Sequence, residues 1–86
     1  MPELARFYGI IIRLRYSEHP PPHFHVKYQE HNAAFDIQNL TMIKGWLPAR
    51  AKSMVLEWAS QHRAELLTAW RQAAAGRIPD KIAPLE

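Results

Sequence analysis

Three consecutive prolines, Pro20-Pro21-Pro22, lie between two β-rich stretches and decide how the first half of this chain folds. A proline has no N–H for a strand ladder or helix interior, and it pushes the residue before it out of the helical region. Ser17-Glu-His-Pro-Pro-Pro22 is therefore an extended loop, and regular structure must begin afresh after it. His23-Phe-His-Val-Lys-Tyr28 alternates strictly between polar and apolar residues and reads as a strand.

On the other side of the loop, Phe7 to Tyr16 is rich in β-branched and aromatic residues and reads as one strand. Glu30-His31-Asn32 offers turn chemistry, and Ala33 to Ile37 is the antiparallel return. Thr41 to Trp46 follows as a fourth strand after a turn near Gln38-Asn39. Beyond Pro48, which suits the first turn of a helix, the period changes to steps of three and four. The stripe runs Ala51, Val55, Trp58/Ala59, His62, Leu66, Ala69/Trp70, Ala73. It predicts one long helix from about Pro48 to Ala75, with room for a bend near Ser60-Gln61 and Gly76 as its C-cap. The tail from Ile78 to Leu85 contains two prolines and is too apolar to float, so it is expected to lie extended along the sheet or helix. The expected fold class is α+β. An antiparallel three- to four-stranded sheet carries one long C-terminal helix on one face and an extended tail, in a single domain over residues 1–86.

Composition narrows the function classes. With 48% hydrophobic residues, 86 residues suffice for one compact core. The absence of cysteine excludes disulfides, thiolate metal sites and cysteine nucleophiles, and fits a reducing cytoplasm. No basic-then-apolar leader opens the chain, and Ile10-Ile11-Ile12 is far too short to cross a bilayer. A cytoplasmic location without membrane contact is the expectation. The net charge of +3 is spread along the chain, with four Lys/Arg against three acids in residues 1–31 and seven against five in the rest. Such an excess favours an acidic partner, RNA or an acidic protein. There is no Gly-rich phosphate loop, no nucleophile elbow and no HExxH, which argues against nucleotide-driven and acyl-transfer enzymes.

Strand parity then sorts the side chains. Ile10, Ile12, Leu14, Phe24, Val26, Tyr28, Phe35 and Ile37 should form the core face, and Arg13, Arg15, His23, His25, Lys27, Asp36 and Gln38 the other. His23 and His25, two apart on a strand, should project from one face about 6.8 Å apart at Cα. Imidazoles so placed can converge on a divalent metal ion. A third ligand would come from His19, His31, His62 or Asp36, of which Asp36 is best placed on parity. Without a cofactor, the same histidines could act as catalytic general acid and base while Arg13, Arg15 and Lys27 hold a phosphate, as in a metal-independent ribonuclease. The plain alternative is a solvated polar face. His62 falls within the apolar stripe and is expected to be a satisfied core residue. Trp46, Trp58 and Trp70 are assigned to the core or its margin, which leaves the polar face without a stacking platform for bases.

Pro21-Pro-His-Phe-His-Val-Lys-Tyr28, Phe35-Asp-Ile37, Trp46-Leu-Pro-Ala-Arg-Ala51 and Val55 to Leu66 together resemble the small bacterial family of domain of unknown function 4160. The resemblance extends from Tyr16 to Leu85, its most distinctive pieces being the proline-led HFHV strand and the helix with Trp58, His62, Arg63 and Leu66, with the short Ile-x-Pro-Leu tail at Ile82 to Leu85. It implies a small stand-alone protein, encoded beside a second small protein in a toxin–antitoxin-like two-gene module, and it carries over no catalytic residues. The combined expectation is an interaction or RNA-acting component that uses the basic sheet face, with a nearby-encoded small protein as partner. A metal-binding protein or metal-dependent hydrolase centred on His23, His25 and Asp36 is the alternative. An assembly protein, dimerising through its tail and sheet edge, is the third reading.

Overall fold

The computed structural model describes residues 2–86; Met1, the first residue of the expected domain, lies outside them. The described residues form an α+β fold with five strands, β1 (Glu3–Phe7), β2 (Ile10–Arg13), β3 (His23–Tyr28), β4 (His31–Asp36) and β5 (Met42–Gly45). Two helices follow, α1 (Ala49–Gln61) and α2 (Arg63–Ala74). The strands pair antiparallel in chain order, a meander that needs no crossover.

The sheet departs from expectation at its start. The stretch read as one strand from Phe7 is a hairpin, because Tyr8 and Gly9 both take positive φ (50° and 79°) between the paired residues Phe7 and Ile10. Two successive left-handed residues are the two-residue turn that matches strand twist. A tyrosine in that conformation is uncommon, which is why the segment reads as continuous strand. The sheet therefore has five strands rather than three or four.

The helix also differs. Its expected single span is broken at His62, whose φ of −127° lies outside the helical range and whose N–H bonds to the Ala59 carbonyl three residues back. α2 restarts at once, with Leu66 N–H on the His62 carbonyl. The buried residues Val55, Trp58 and Ala59 precede the break, and Leu66, Ala69, Trp70 and Ala73 follow it. The apolar stripe keeps its phase across the junction, so the period alone does not reveal the break. At the far end, Gly76 (φ 78°) and Arg77 return N–H bonds to Ala73 and Gln72, a Schellman cap.

The core lies between the sheet and the two helices. Ile10, Ile12, Leu14, Phe24, Val26, Phe35 and Ile37 are buried as parity requires, and Tyr28 is half-buried. Phe24 stacks nearly parallel on its cross-strand partner Phe35, and Trp58 closes on Phe7 and Phe24 from α1. The tail is extended, as expected. Ile82 is buried and its N–H reaches the Leu4 carbonyl, while Trp58 donates its indole N–H to the Ala83 carbonyl. The edge of β1 is thus covered by the tail. Trp46 corrects the assignment of all three tryptophans to the core, for it is 58% exposed and its ring meets His31 edge-on. None of the described helices is long and apolar enough to cross a membrane.

Candidate functional site

The polar face of the sheet is organised in cross-strand rows. Arg13 pairs with His25, His25 with Ala34, and Ala34 with Lys44, so one row crosses β2, β3, β4 and β5. At the β1 end the row continues to Glu3, and a bulge between Glu3 and Ala5 allows Arg6 to grip its carboxylate at 2.8 Å. The next row holds Lys27 opposite Asn32. Ala34 is the smallest side chain of its row, and it is buried although it faces away from the core. Its short side chain leaves a floor between longer neighbours. Two adjoining depressions of about 90 and 240 Å³ result, sharing Arg15, His25, Asn32 and Ala33 in their walls. Arg13, Val26 and Lys27 complete the first, and Ala34, Lys44 and Gly45 the second. Neither wall contains an acidic residue. Gly45 is obligatory here, since its φ is 82° and a Cβ would lie 2.0 Å from the Asn32 carbonyl oxygen.

A second cluster adjoins this groove through His25. The loop before β3 brings Glu18 over the strand, where its Oε1 accepts a 2.6 Å hydrogen bond from His25 Nε2. Glu18 Oε2 lies 3.3 Å from His23 Nε2. The other nitrogen of His23, Nδ1, is 2.7 Å from the Pro21 carbonyl oxygen, which can only accept, so Nδ1 carries a proton. The two imidazoles meet edge to face at 5.2 Å, and Trp70 of α2 packs against His23 at 5.1 Å. Partial burial pushes the Glu18 carboxyl up, but hydrogen bonds and charge from His25, and then from His23, outweigh it and hold the group below its ordinary range.

His23 and His25 thus come together, as their spacing requires, and Arg13, Arg15 and Lys27 line the groove beside them. His23 nevertheless meets a helix residue, which its place on the face opposite the helix did not suggest; it is the first residue of β3, at the end of the sheet where α2 draws near. Asp36 stands directly across from His23 in the register, yet its Oδ1 accepts the backbone N–H groups of Gln38 and Asn39 and shapes the turn into β5. The three-ligand cluster of the described residues is Glu18, His23 and His25, without Asp36. His62 is distant in role. Its Nδ1 donates to Glu65 Oε1 at 2.6 Å and its ring packs on Trp58, which secures the junction between α1 and α2. His31 lies 3.8 Å from the exposed Glu30.

A family model described as Domain of unknown function (DUF4160) matches residues 9–71. The chain belongs to that family. The groove and the Glu18–His23–His25 cluster lie wholly inside the DUF4160 match, while the Glu3–Arg6 pair and the tail lie outside it. No curated protein and no solved structure matches this DUF4160 chain. Larger depressions exist, of about 380 Å³ between α2 and the tail, about 420 Å³ beside Tyr8 and Tyr28, and about 370 Å³ between the end of α1 and the tail; only the last holds a histidine, His62, and it is lined by Glu57 and Glu86 rather than by cations.

Four residues of this region were not singled out by sequence reasoning: Glu18, Asn32, Ala34 and Lys44. Asn32 and Lys44 could have been found by carrying strand parity into β4 and β5. Ala34 signals itself only as a gap in an otherwise long-chained row. Glu18 has no signal in periodicity, because a loop position is set by the loop's path.

Proposed function

We propose that this DUF4160 chain is an RNA-binding component of a two-gene, toxin–antitoxin-like bacterial module, and that it holds the sugar–phosphate backbone in the groove across β2 to β5. The observation that carries this reading is the composition of the groove: Arg13, Arg15, Lys27 and Lys44 converge on a concave floor with Asn32 and His25, and no acid lines it. Neighbouring strands are about 4.8 Å apart, so the row from Arg13 to Lys44 covers about 14 Å, enough for several phosphates. The donors present suit phosphate oxygens and ribose hydroxyls. No Phe, Tyr or Trp side chain lines the floor, and the His25 ring is held by Glu18 and His23, so base stacking is not part of the mode. Binding should therefore depend strongly on salt and weakly on base sequence. The two-gene setting and the small protein partner are supported by the family resemblance.

The test is fluorescence anisotropy with a labelled RNA hairpin, the matching single strand and poly-glutamate, each over a salt series. The reading expects RNA affinity to fall steeply with salt, and the log–log slope to shrink by about one for each of Arg13→Ala and Lys27→Ala. Salt-independent binding, or equal affinity for poly-glutamate, would contradict it.

A further inference from the structure

Glu18, His23 and His25 have a geometry that the groove does not require. His23 Nδ1 donates its proton to the Pro21 carbonyl, so in the neutral ring Nε2 presents a lone pair. That lone pair faces Glu18 Oε2, another acceptor, at 3.3 Å. Two acceptors so close need a positive charge between them, either a proton on the ring or a metal ion. The Pro21 carbonyl stands where metal-binding histidines keep their orienting partner, and the packed Trp70 ring steadies His23 further. One donor atom from each of the three residues lies within 4.8 Å of the other two. A tetrahedral ion with bonds near 2.0–2.1 Å asks for about 3.3 Å between ligand atoms. The His23–Glu18 separation already meets that value; the 2.6 Å His25–Glu18 contact must open by less than an ångström, and the proton that His25 Nε2 donates there must leave the ring nitrogen for solvent as the ion takes its place.

We propose that Glu18, His23 and His25 bind one divalent transition-metal ion, Zn²⁺ by preference, through both Nε2 atoms and the carboxylate. Two imidazoles and a carboxylate form a borderline nitrogen–oxygen donor set that suits Zn²⁺ over Mg²⁺ or Ca²⁺. Three protein ligands leave a fourth position, the arrangement of zinc sites that hold a water or an exchangeable group. The site shares His25 with the groove, so an ion there would sit at one end of the row of cations.

The experiment titrates the purified, chelator-stripped full chain with Zn²⁺ by calorimetry, and with Co²⁺ by visible absorption, at fixed neutral pH. The expected result is one ion per chain, with a tetrahedral Co²⁺ spectrum. Glu18→Gln and His23→Gln should each weaken Zn²⁺ affinity by at least about ten-fold, whereas Asp36→Asn and His62→Gln should leave it unchanged. Circular dichroism of every variant, and the response of its Tm to Zn²⁺, separate a lost ligand from a lost fold. Zn²⁺ should raise the Tm of the wild type and of Asp36→Asn, but not that of folded Glu18→Gln. No stoichiometric binding by the wild type would overturn the proposal. Affinity retained in Glu18→Gln but lost in His62→Gln or Asp36→Asn would overturn it too. With the RNA titrations run on chelator-stripped protein, the two readings fail independently.

Discussion

Two places in this molecule use the same three kinds of side chain to different ends. At the helix junction, His62 donates to Glu65 at 2.6 Å and leans on Trp58; before β3, His25 donates to Glu18 at 2.6 Å and His23 leans on Trp70. The first pair is local, three residues apart, and completes a turn of backbone. The second joins residues seven apart across a proline loop and adds a second imidazole to the same carboxylate. The difference shows that a histidine beside a glutamate and a tryptophan says little by itself. What distinguishes the β3 cluster is convergence of two rings on one carboxylate, next to a groove lined by Arg13, Arg15, Lys27 and Lys44.

The two tryptophans carry the largest expected effects. Trp58 is fully buried against Phe7, Phe24 and His62, and its N–H holds the tail at Ala83. Trp58→Ala should cost about 3–5 kcal/mol. That is most of the stability of a domain this small, so urea denaturation should find it largely unfolded. Trp70 covers less and faces His23, so Trp70→Ala should cost about 2 kcal/mol and leave a folded protein with weakened contacts at β3.

The histidines sharpen the contrast at smaller energies. Loss of one hydrogen bond and a ring contact in His62→Ala should lower stability by about 1 kcal/mol without changing RNA affinity. His25→Ala should cost about as much stability and also weaken RNA binding several-fold in the anisotropy assay. Equal effects of the two on binding would erase the distinction. The smallest effect concerns acid. Although partial burial opposes it, contact with His25 and His23 holds the Glu18 carboxyl below its ordinary range. A depressed carboxylate stabilises the fold above its unfolded pKa of about 4.3, and that stabilisation is lost as the pH falls through the lower folded value. In metal-free buffer, the Tm difference between wild type and Glu18→Gln should narrow as the pH falls below about 4.

Much of the fold is legible in the chain because its signals are local. The alternation in His23 to Tyr28 sets both the strand and the face of each residue, and β3 appears with those bounds. The HFH pair, with Arg13, Arg15 and Lys27 on the same face, follows from the same alternation. The Tyr8-Gly9 turn is hidden because tyrosine favours strands and its positive φ is imposed by the hairpin. The break at His62 is hidden because the residues on either side keep the stripe in phase. Glu18 is hidden for a different reason, since its position is a consequence of the path from β2 to β3. Asp36 shows the converse. Parity places it opposite His23, but nearby backbone N–H groups claim its carboxylate.

Backbone amide resonances, followed while an RNA hairpin is added, report whether the polar sheet face is the working surface. The account predicts shifts gathered on Arg13, His25, Lys27, Asn32, Ala34 and Lys44, with Ser60 to Glu65 unmoved. Shifts centred on the helix junction, or on the exposed Ile43 and Trp46 with the groove silent, would contradict it.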